Sequence, residues 1–170
     1  MTDVNSTIAE MQLPQVSLRQ ALSAFSTGVT VVSTASPSGN PVGLTANSFN
    51  VLSLEPPLVL WSLRTSSGCA ETFLAASHFT VNVLSEDQID ISRRFARPGD
   101  DRFEGVTWRF GPGAVPRIQG CAAIFECRIV SHQTYGDHVL FIGQVEEHRY
   151  QARLPLIFHH GKYHALGRPL

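Results

Sequence analysis

The sequence predicts a mostly β protein in which short helices interrupt antiparallel strands that form a barrel or a sandwich. β-branched and apolar runs occupy residues 28–35 and 58–63, and three further β-like runs fill 122–135, 138–150 and 154–166. Most neighbouring runs are joined by short turns. Antiparallel pairing is the simplest topology for strands connected in this way.

The length of the chain limits how many domains it can form. With 170 residues it is long enough for one domain with a buried core and too short for two full ones. Residues 1–15 are polar and unpatterned. We therefore expect a flexible N-terminal arm at 1–16 and a single domain at 17–170.

Composition and charge exclude several classes of protein. The net charge is −1 and the basic residues are scattered, so we expect no nucleic-acid partner. No apolar run approaches the roughly 20 residues that span a bilayer. The N-terminus lacks a signal-peptide pattern, so we expect a cytoplasmic protein with no membrane association. The three cysteines lack metal-site spacing, which predicts buried free thiols and no metal.

Three short helices are predicted between the strands. Ser17 precedes residues 18–25, whose apolar positions follow helical spacing, and is a suitable N-cap. Ser66 or Ser67 is expected to cap the second helix. The third helix spans 87–96, with acidic residues at its start and basic residues at its end, as the helix dipole favours.

The segment TANSF, residues 45–49, is unusually polar for a strand between two apolar runs. Buried hydroxyl and amide groups need hydrogen-bond partners. Two interpretations fit: an edge strand that faces water, or a surface against which a flat, polar ring lies. Flavin suits the second interpretation, because N5, O4, N3–H and O2 present a mixed row of acceptors and one donor to the backbone.

A group of serines precedes the second predicted helix. Ser62, Ser66 and Ser67 lie at a strand end and just before the helix, where hydroxyl groups either bind phosphate or cap the helix. Arg94 and Phe95 end the third helix, where the arginine either closes on a phosphate or complements the helix dipole.

His138 follows the tight turn of the segment YGDH. A histidine there can place a hydrogen-bond donor near a cofactor, or it can be an inert turn residue. The chain contains six other histidines, which weakens the signal. Motifs for nucleophilic or zinc hydrolases and for Rossmann or P-loop nucleotide sites are absent from the sequence, so a cofactor would have to supply the reactive atoms.

Taken together, these features resemble the short-chain flavin reductases of the FMN-binding split-barrel group. These are the NAD(P)H:flavin oxidoreductases that supply reduced flavin to two-component monooxygenases. The resemblance follows the family's order over residues 17–166. It is carried by FSTGVTVVST (25–34), GLTANSFNVLSLEPPLVLWSL (43–63), FTVNVLSEDQ (79–88), RRF (93–95), DRFEGVTW (101–108), YGDHVLFIGQV (135–145) and PLIFHHGKYHAL (155–166).

The resemblance implies a six-stranded antiparallel split β-barrel with Greek-key topology. It also implies a homodimer that binds FMN or FAD near the subunit interface and uses NADH or NADPH as co-substrate. Reduced flavin would reach a flavin-dependent monooxygenase partner by diffusion. His138 would organise the nicotinamide, as the catalytic candidate. The flavin would be bound by Thr45, Ala46, Asn47, Ser48, Phe49, Ser62, Ser66, Ser67, Asn82, Arg94, Phe95 and Tyr163.

One position departs from the family pattern. Arg117 and Ile118 stand where the family has an apolar pair, which puts the packing of that loop in question. An alternative function is a non-catalytic module that binds flavin or haem, which predicts tight binding with negligible NADH oxidation. A relative that oxidises pyridoxamine phosphate would need a basic cluster for a second phosphate, and we identify none from the sequence alone.

Overall fold

The computed structural model describes residues 17–99 and 101–170, and the predicted arm at 1–16 lies outside the described residues. The strands are β1 (Thr27–Gly28), β2 (Thr30–Ala35), β3 (Pro41–Ala46), β4 (Asn50–Leu54), β5 (Pro57–Arg64), β6 (His78–Val83), β7 (Trp108–Phe110), β8 (Pro116–Ile118), β9 (Ala123–Tyr135), β10 (His138–Tyr150), β11 (Ile157–His159) and β12 (Lys162–His164). The α-helices are α1 (Leu18–Leu22), α2 (Ala70–Ala75) and α3 (Ile89–Ala96). With 48% strand and 16% helix, the predicted mostly β class is confirmed.

Seven strands form one antiparallel sheet in the order β3-β2-β6-β9-β10-β5-β4. Its two edges, β3 and β4, are consecutive in the chain and are joined by residues 47–49 alone. Three residues span only about 10 Å. The sheet must therefore roll up until the end of β3 and the start of β4 meet.

This main sheet has seven hydrogen-bonded strands, where the prediction specified six. The difference arises at residues 47–49, where a strand predicted to run through TANSF ends at Ala46 and resumes at Asn50 on the opposite edge. A three-stranded sheet, β1-β11-β12, and a two-stranded sheet, β7-β8, complete the strands of the described residues.

The helices are shorter than predicted. Ser17 caps α1 as expected, with its hydroxyl accepting from Gln20 N at 3.3 Å, but the helix ends at Leu22. The expected serine cap of α2 is wrong. That helix begins only at Ala70, and its N-cap residue is Cys69, whose side chain makes no capping bond. Within the described residues, the helices are too short and polar to cross a membrane.

Two apolar clusters fill the interior. The first surrounds Trp61 and Phe141, whose stacked rings are 4.9 Å apart. The second includes Phe95 and Phe103, in edge-to-face contact at 4.8 Å. All three cysteines are free and buried, and burial raises the pKa of Cys121 and of Cys127 to about 12.

Arg117, the departure from the family pattern, is buried and paired with carboxylates. Its side chain is 5% exposed and contacts Glu126, also buried, and Glu147, which is half-exposed. Burial raises the pKa of Glu126, while the hydrogen bond from Arg117 acts in the opposite direction. The loop therefore packs through an ion pair in place of an apolar contact.

Breaking this pair on its buried side should destabilise the protein. Glu126→Ala leaves a buried guanidinium short of one partner, so we expect the free energy of unfolding to fall by about 3 kcal/mol in urea titrations. The matched change Glu147→Ala removes the partly exposed carboxylate and should lower it by about 1 kcal/mol. Equal losses of unfolding free energy in the two variants would contradict the view that burial determines how much each carboxylate contributes.

Candidate functional site

A cavity of about 740 Å³ opens beside the seam where the two edges of the main sheet meet. We call it the main cavity. Strands β3 and β5, the β5–α2 loop, the end of α3 and the start of β10 contribute to its wall. It is lined by Leu44, Thr45, Ala46, Asn47, Ser48, Ser62, Leu63, Arg64, Ser66, Ser67, Gly68, Phe95, Ala96, Arg97, Pro98, Arg102 and His138.

The fold holds the segment 45–48 in place from behind. Thr45 Oγ1 donates to Ser92 O of α3 at 2.7 Å, and the backbone oxygen of Ala46 accepts from Thr30 Oγ1 at 2.7 Å. Ser48 Oγ accepts from Ser62 N and donates to Ser62 O, both at 3.0 Å. These bonds fix one wall of the main cavity and tie the 47–49 connection to β5.

The serine loop between β5 and α2 forms a second wall. Ser67 Oγ accepts from Cys69 N at 3.3 Å, which folds the loop back before the helix begins. Ser66 is exposed and Ser67 is half-buried. Both hydroxyls lie at the main cavity, as the sequence predicted, but not as helix caps.

The main cavity is also lined by three arginines that the sequence analysis did not identify: Arg64, Arg97 and Arg102. Arg102 donates to Gly43 O at 2.6 Å, while its Nε is buried and has no partner in the described part of the chain. Among residues 17–99 and 101–170, none of the three has a carboxylate within ion-pair distance, and no acidic residue lines the cavity. The cavity therefore favours an anion.

His138 is delivered to the rim of the main cavity by a two-residue hairpin loop. Gly136 has φ +58°, which the first position of a type II′ turn requires. His138 Nδ1 lies 2.8 Å from Asp137 Oδ1, and this hydrogen bond lowers the pKa of Asp137. In the strand register His138 lies opposite Arg64, so the two side groups belong to the same end of the sheet.

Nine of the predicted site residues meet at the main cavity. They are Thr45, Ala46, Asn47, Ser48, Ser62, Ser66, Ser67, Phe95 and His138. Phe95 lies at its base, almost fully buried, against Phe103.

Four predicted residues lie elsewhere. Phe49 turns away and stacks on Phe125, with ring centroids 5.7 Å apart. Asn82 is fully buried, where it donates to Val31 O and accepts from Ile118 N. Arg94 and Tyr163 are likewise not among the residues that line the main cavity.

Comparison with known proteins identifies the family. A family model described as the flavin reductase like domain matches residues 22–167. The chain belongs to this family. The resemblance inferred from the sequence is thus confirmed.

Individual relatives of this flavin reductase like domain are similar along most of the chain. The FMN reductase (NADH) SmoA of Agrobacterium fabrum is 43% identical over 152 residues, covering 89% of this chain and 86% of that protein. The solved structure of the Streptomyces globisporus NADH:FAD oxidoreductase SgcE6, in complex with NAD and FAD fragments, is 35% identical in sequence and superposes with a TM-score of 0.85. That match covers 91% of this chain and 93% of the other.

Other relatives are longer proteins. The reductase subunit Stc3 of a stachydrine N-demethylase from Rhizobium meliloti is 46% identical over 128 residues, which are 75% of this chain. The chain spans 56% of the length of that protein and 41% of another Rhizobium meliloti relative. The flavin reductase like domain therefore corresponds to part of those proteins.

The bond pair between Ser48 and Ser62 gives a direct test of how the cavity wall is held. Ser48→Ala leaves both backbone groups of Ser62 without this partner, so we expect the free energy of unfolding to fall by about 2 kcal/mol. Ser38→Ala, in an exposed turn, is the matched control and should change it by less than about 0.5 kcal/mol. The free energies of unfolding of both variants are measured by urea titration. Values that do not differ between the two variants would refute the role of Ser48.

Proposed function

We propose that the chain is an NAD(P)H:flavin oxidoreductase that transfers a hydride from NADH or NADPH to FMN or FAD. The observation that carries the proposal is the main cavity, where the polar 45–48 segment, the serine loop, three arginines and His138 converge. The family and the printed activities of SmoA and SgcE6 support it.

The residues of the main cavity fit a flavin nucleotide. The phosphate of FMN needs charged and hydroxyl donors, and Arg102, Ser66 and Ser67 of the lining supply both kinds. The unpartnered Nε of Arg102 is a donor that the protein itself leaves unused among its described residues. We assign the phosphate to these residues.

The segment 45–48 suits the edge of the flavin ring. Its side chains are short, and Thr45 and Ser48 direct their hydroxyls to α3 and β5. Main-chain groups at Ala46 and Asn47 can therefore approach a planar ring closely. When bound, flavin supplies the ring that accepts the hydride.

His138 is assigned to the nicotinamide end. Its contact with Asp137 fixes the orientation of the imidazole at the rim, where it is 37% exposed and accessible to a second ligand. We assign it a role in orienting the co-substrate, because correct alignment of two rings alone lowers a transfer barrier by several kcal/mol.

The proposal extends to assembly and partners. Relatives named as reductase components of monooxygenases support a monooxygenase partner that receives reduced flavin by diffusion. The rolled main sheet supports a Greek-key split barrel, and a homodimer with flavin near its interface belongs to the same proposal. Three free cysteines support a cytoplasmic location, since disulfides persist mainly in oxidising compartments.

NADH oxidation followed at 340 nm, with and without added FMN or FAD, tests the activity. We expect turnover that depends on added flavin and rises with its concentration to saturation. A control without protein corrects for direct reaction of NADH with flavin. Tight flavin or haem binding with no oxidation of NADH or NADPH would instead establish a binding module.

The role of His138 is tested by His138→Ala. We expect the KM for NADH to rise, or the rate of flavin reduction to fall, by about tenfold, since an interaction of a polar group with a ligand contributes 1–2 kcal/mol. Flavin binding measured by fluorescence should stay unchanged. His148→Ala, exposed on the same strand, is the control. Unaltered stopped-flow reduction in the His138 variant would remove the residue from the mechanism.

A further inference from the structure

A second cavity, of about 440 Å³, adjoins the main cavity and is lined mainly by arginine. We call it the arginine cavity. Arg97, Pro98 and Arg102 line both cavities, so the two are adjacent. The arginine cavity is lined by Asp90, Arg93, Arg94, Arg97, Pro98, Gly99, Asp101 and Arg102.

The balance of charge in this lining is positive. Within the described residues it holds four arginines and two aspartates. Asp90 pairs with Arg93 at 3.6 Å, and one oxygen of Asp101 accepts from Glu104 N at 3.1 Å. Arg94 has no carboxylate within ion-pair distance among residues 17–99 and 101–170. The lining therefore has guanidinium groups in excess of its acids.

The exposed arginines of this cavity are held by neighbouring groups. Arg94 donates to Glu104 O, which connects the end of α3 to the loop after it. The guanidinium of Arg93 lies over the ring of Tyr163, at 5.8 Å from its centre. Tyr163 in turn shares a 2.9 Å hydrogen bond with Ser92 of α3. Tyr163 thus supports Arg93. These contacts hold the arginines in place before a ligand binds.

A single flavin phosphate does not account for both groups of arginines. Arg64 and Arg102 already serve the main cavity, while Arg93 and Arg94 line the arginine cavity and not the main one. Guanidinium groups bind phosphate with two parallel hydrogen bonds, and a row of them suits a ligand with several phosphates. Because the two cavities share three lining residues, one extended ligand can reach both groups.

We propose that the arginine cavity binds a phosphate that distinguishes one nucleotide from a simpler one, carried by the adenosine half of a dinucleotide whose other half lies in the main cavity. The proposal rests on the proposed function, which places flavin and nicotinamide there. Two dinucleotides offer this chemistry: FAD, through the phosphate that FMN lacks, and NADPH, through its 2′-phosphate. The cavity would thus set which flavin or which nicotinamide nucleotide the protein prefers.

The double variant Arg93→Gln/Arg94→Gln isolates the arginine cavity. Glutamine keeps hydrogen-bond donors, including one for Glu104 O, but removes both charges. Arg19→Gln/Arg168→Gln removes two charges from exposed positions that line neither cavity and is the matched control. Dissociation constants of FMN and FAD are measured by flavin fluorescence, and KM values of NADH and NADPH by absorbance with FMN.

Selective losses support the proposal and identify the ligand. A rise of about tenfold in the Kd of FAD, with that of FMN changed by less than about twofold, assigns the cavity to FAD. A rise of about tenfold in the KM of NADPH, with that of NADH unchanged, assigns it to NADPH.

Other results overturn the proposal. Equal changes for FMN and FAD together with equal changes for NADH and NADPH, or changes no larger than in the control variant, would show that the arginines do not recognise a distinguishing phosphate. Failure of the proposed function is distinguishable from failure of this proposal. If the unaltered protein oxidises neither nicotinamide nucleotide, the proposed function is wrong. The dissociation constants of FMN and FAD then still test whether the arginine cavity binds FAD.

Discussion

The three-residue connection between β3 and β4 is the constraint on which the rest of the structure depends. Because these strands are the two edges of a seven-stranded sheet, residues 47–49 force the sheet to roll up. Ser48 then bonds to both backbone groups of Ser62 and ties this connection to β5. Within the described residues, the strands pair in order from β3 round to β4, but β3 and β4 do not pair with each other. The main cavity lies along this unpaired seam.

The same connection explains why the segment TANSF is polar. The sequence left two interpretations, a strand facing water and a surface for a flat ligand. Thr45 and Ser48 use their hydroxyls to bond α3 and β5, while Asn47 is exposed. Polarity here therefore serves the wall of the main cavity itself, and the proposed flavin surface is the backbone between the bonded hydroxyls. Phe49 lies on the other side, packed against Phe125 in the core.

Local pattern predicted the elements well and their assembly less well. Apolar and β-branched runs identified the long strands, because each buries side chains along its own length. The break at 47–49 was missed, since no glycine or proline marks it and only sheet closure requires it. Arg64, Arg97 and Arg102 are far apart in sequence, so only the fold shows that they meet. Asn82 was assigned to flavin, yet its amide is used wholly by the core.

Two arginines of this chain differ in how the fold compensates their partly or wholly buried charge. Arg117 is 4% exposed and has two carboxylates, so its burial is compensated within the fold. Arg102 is half-buried, yet within the described residues it has only the oxygen of Gly43, the sulfur of Cys69 and an unpartnered Nε. A guanidinium held partly out of water without an anion lowers stability. Its position at the junction of two cavities makes an external phosphate the partner that would offset that loss.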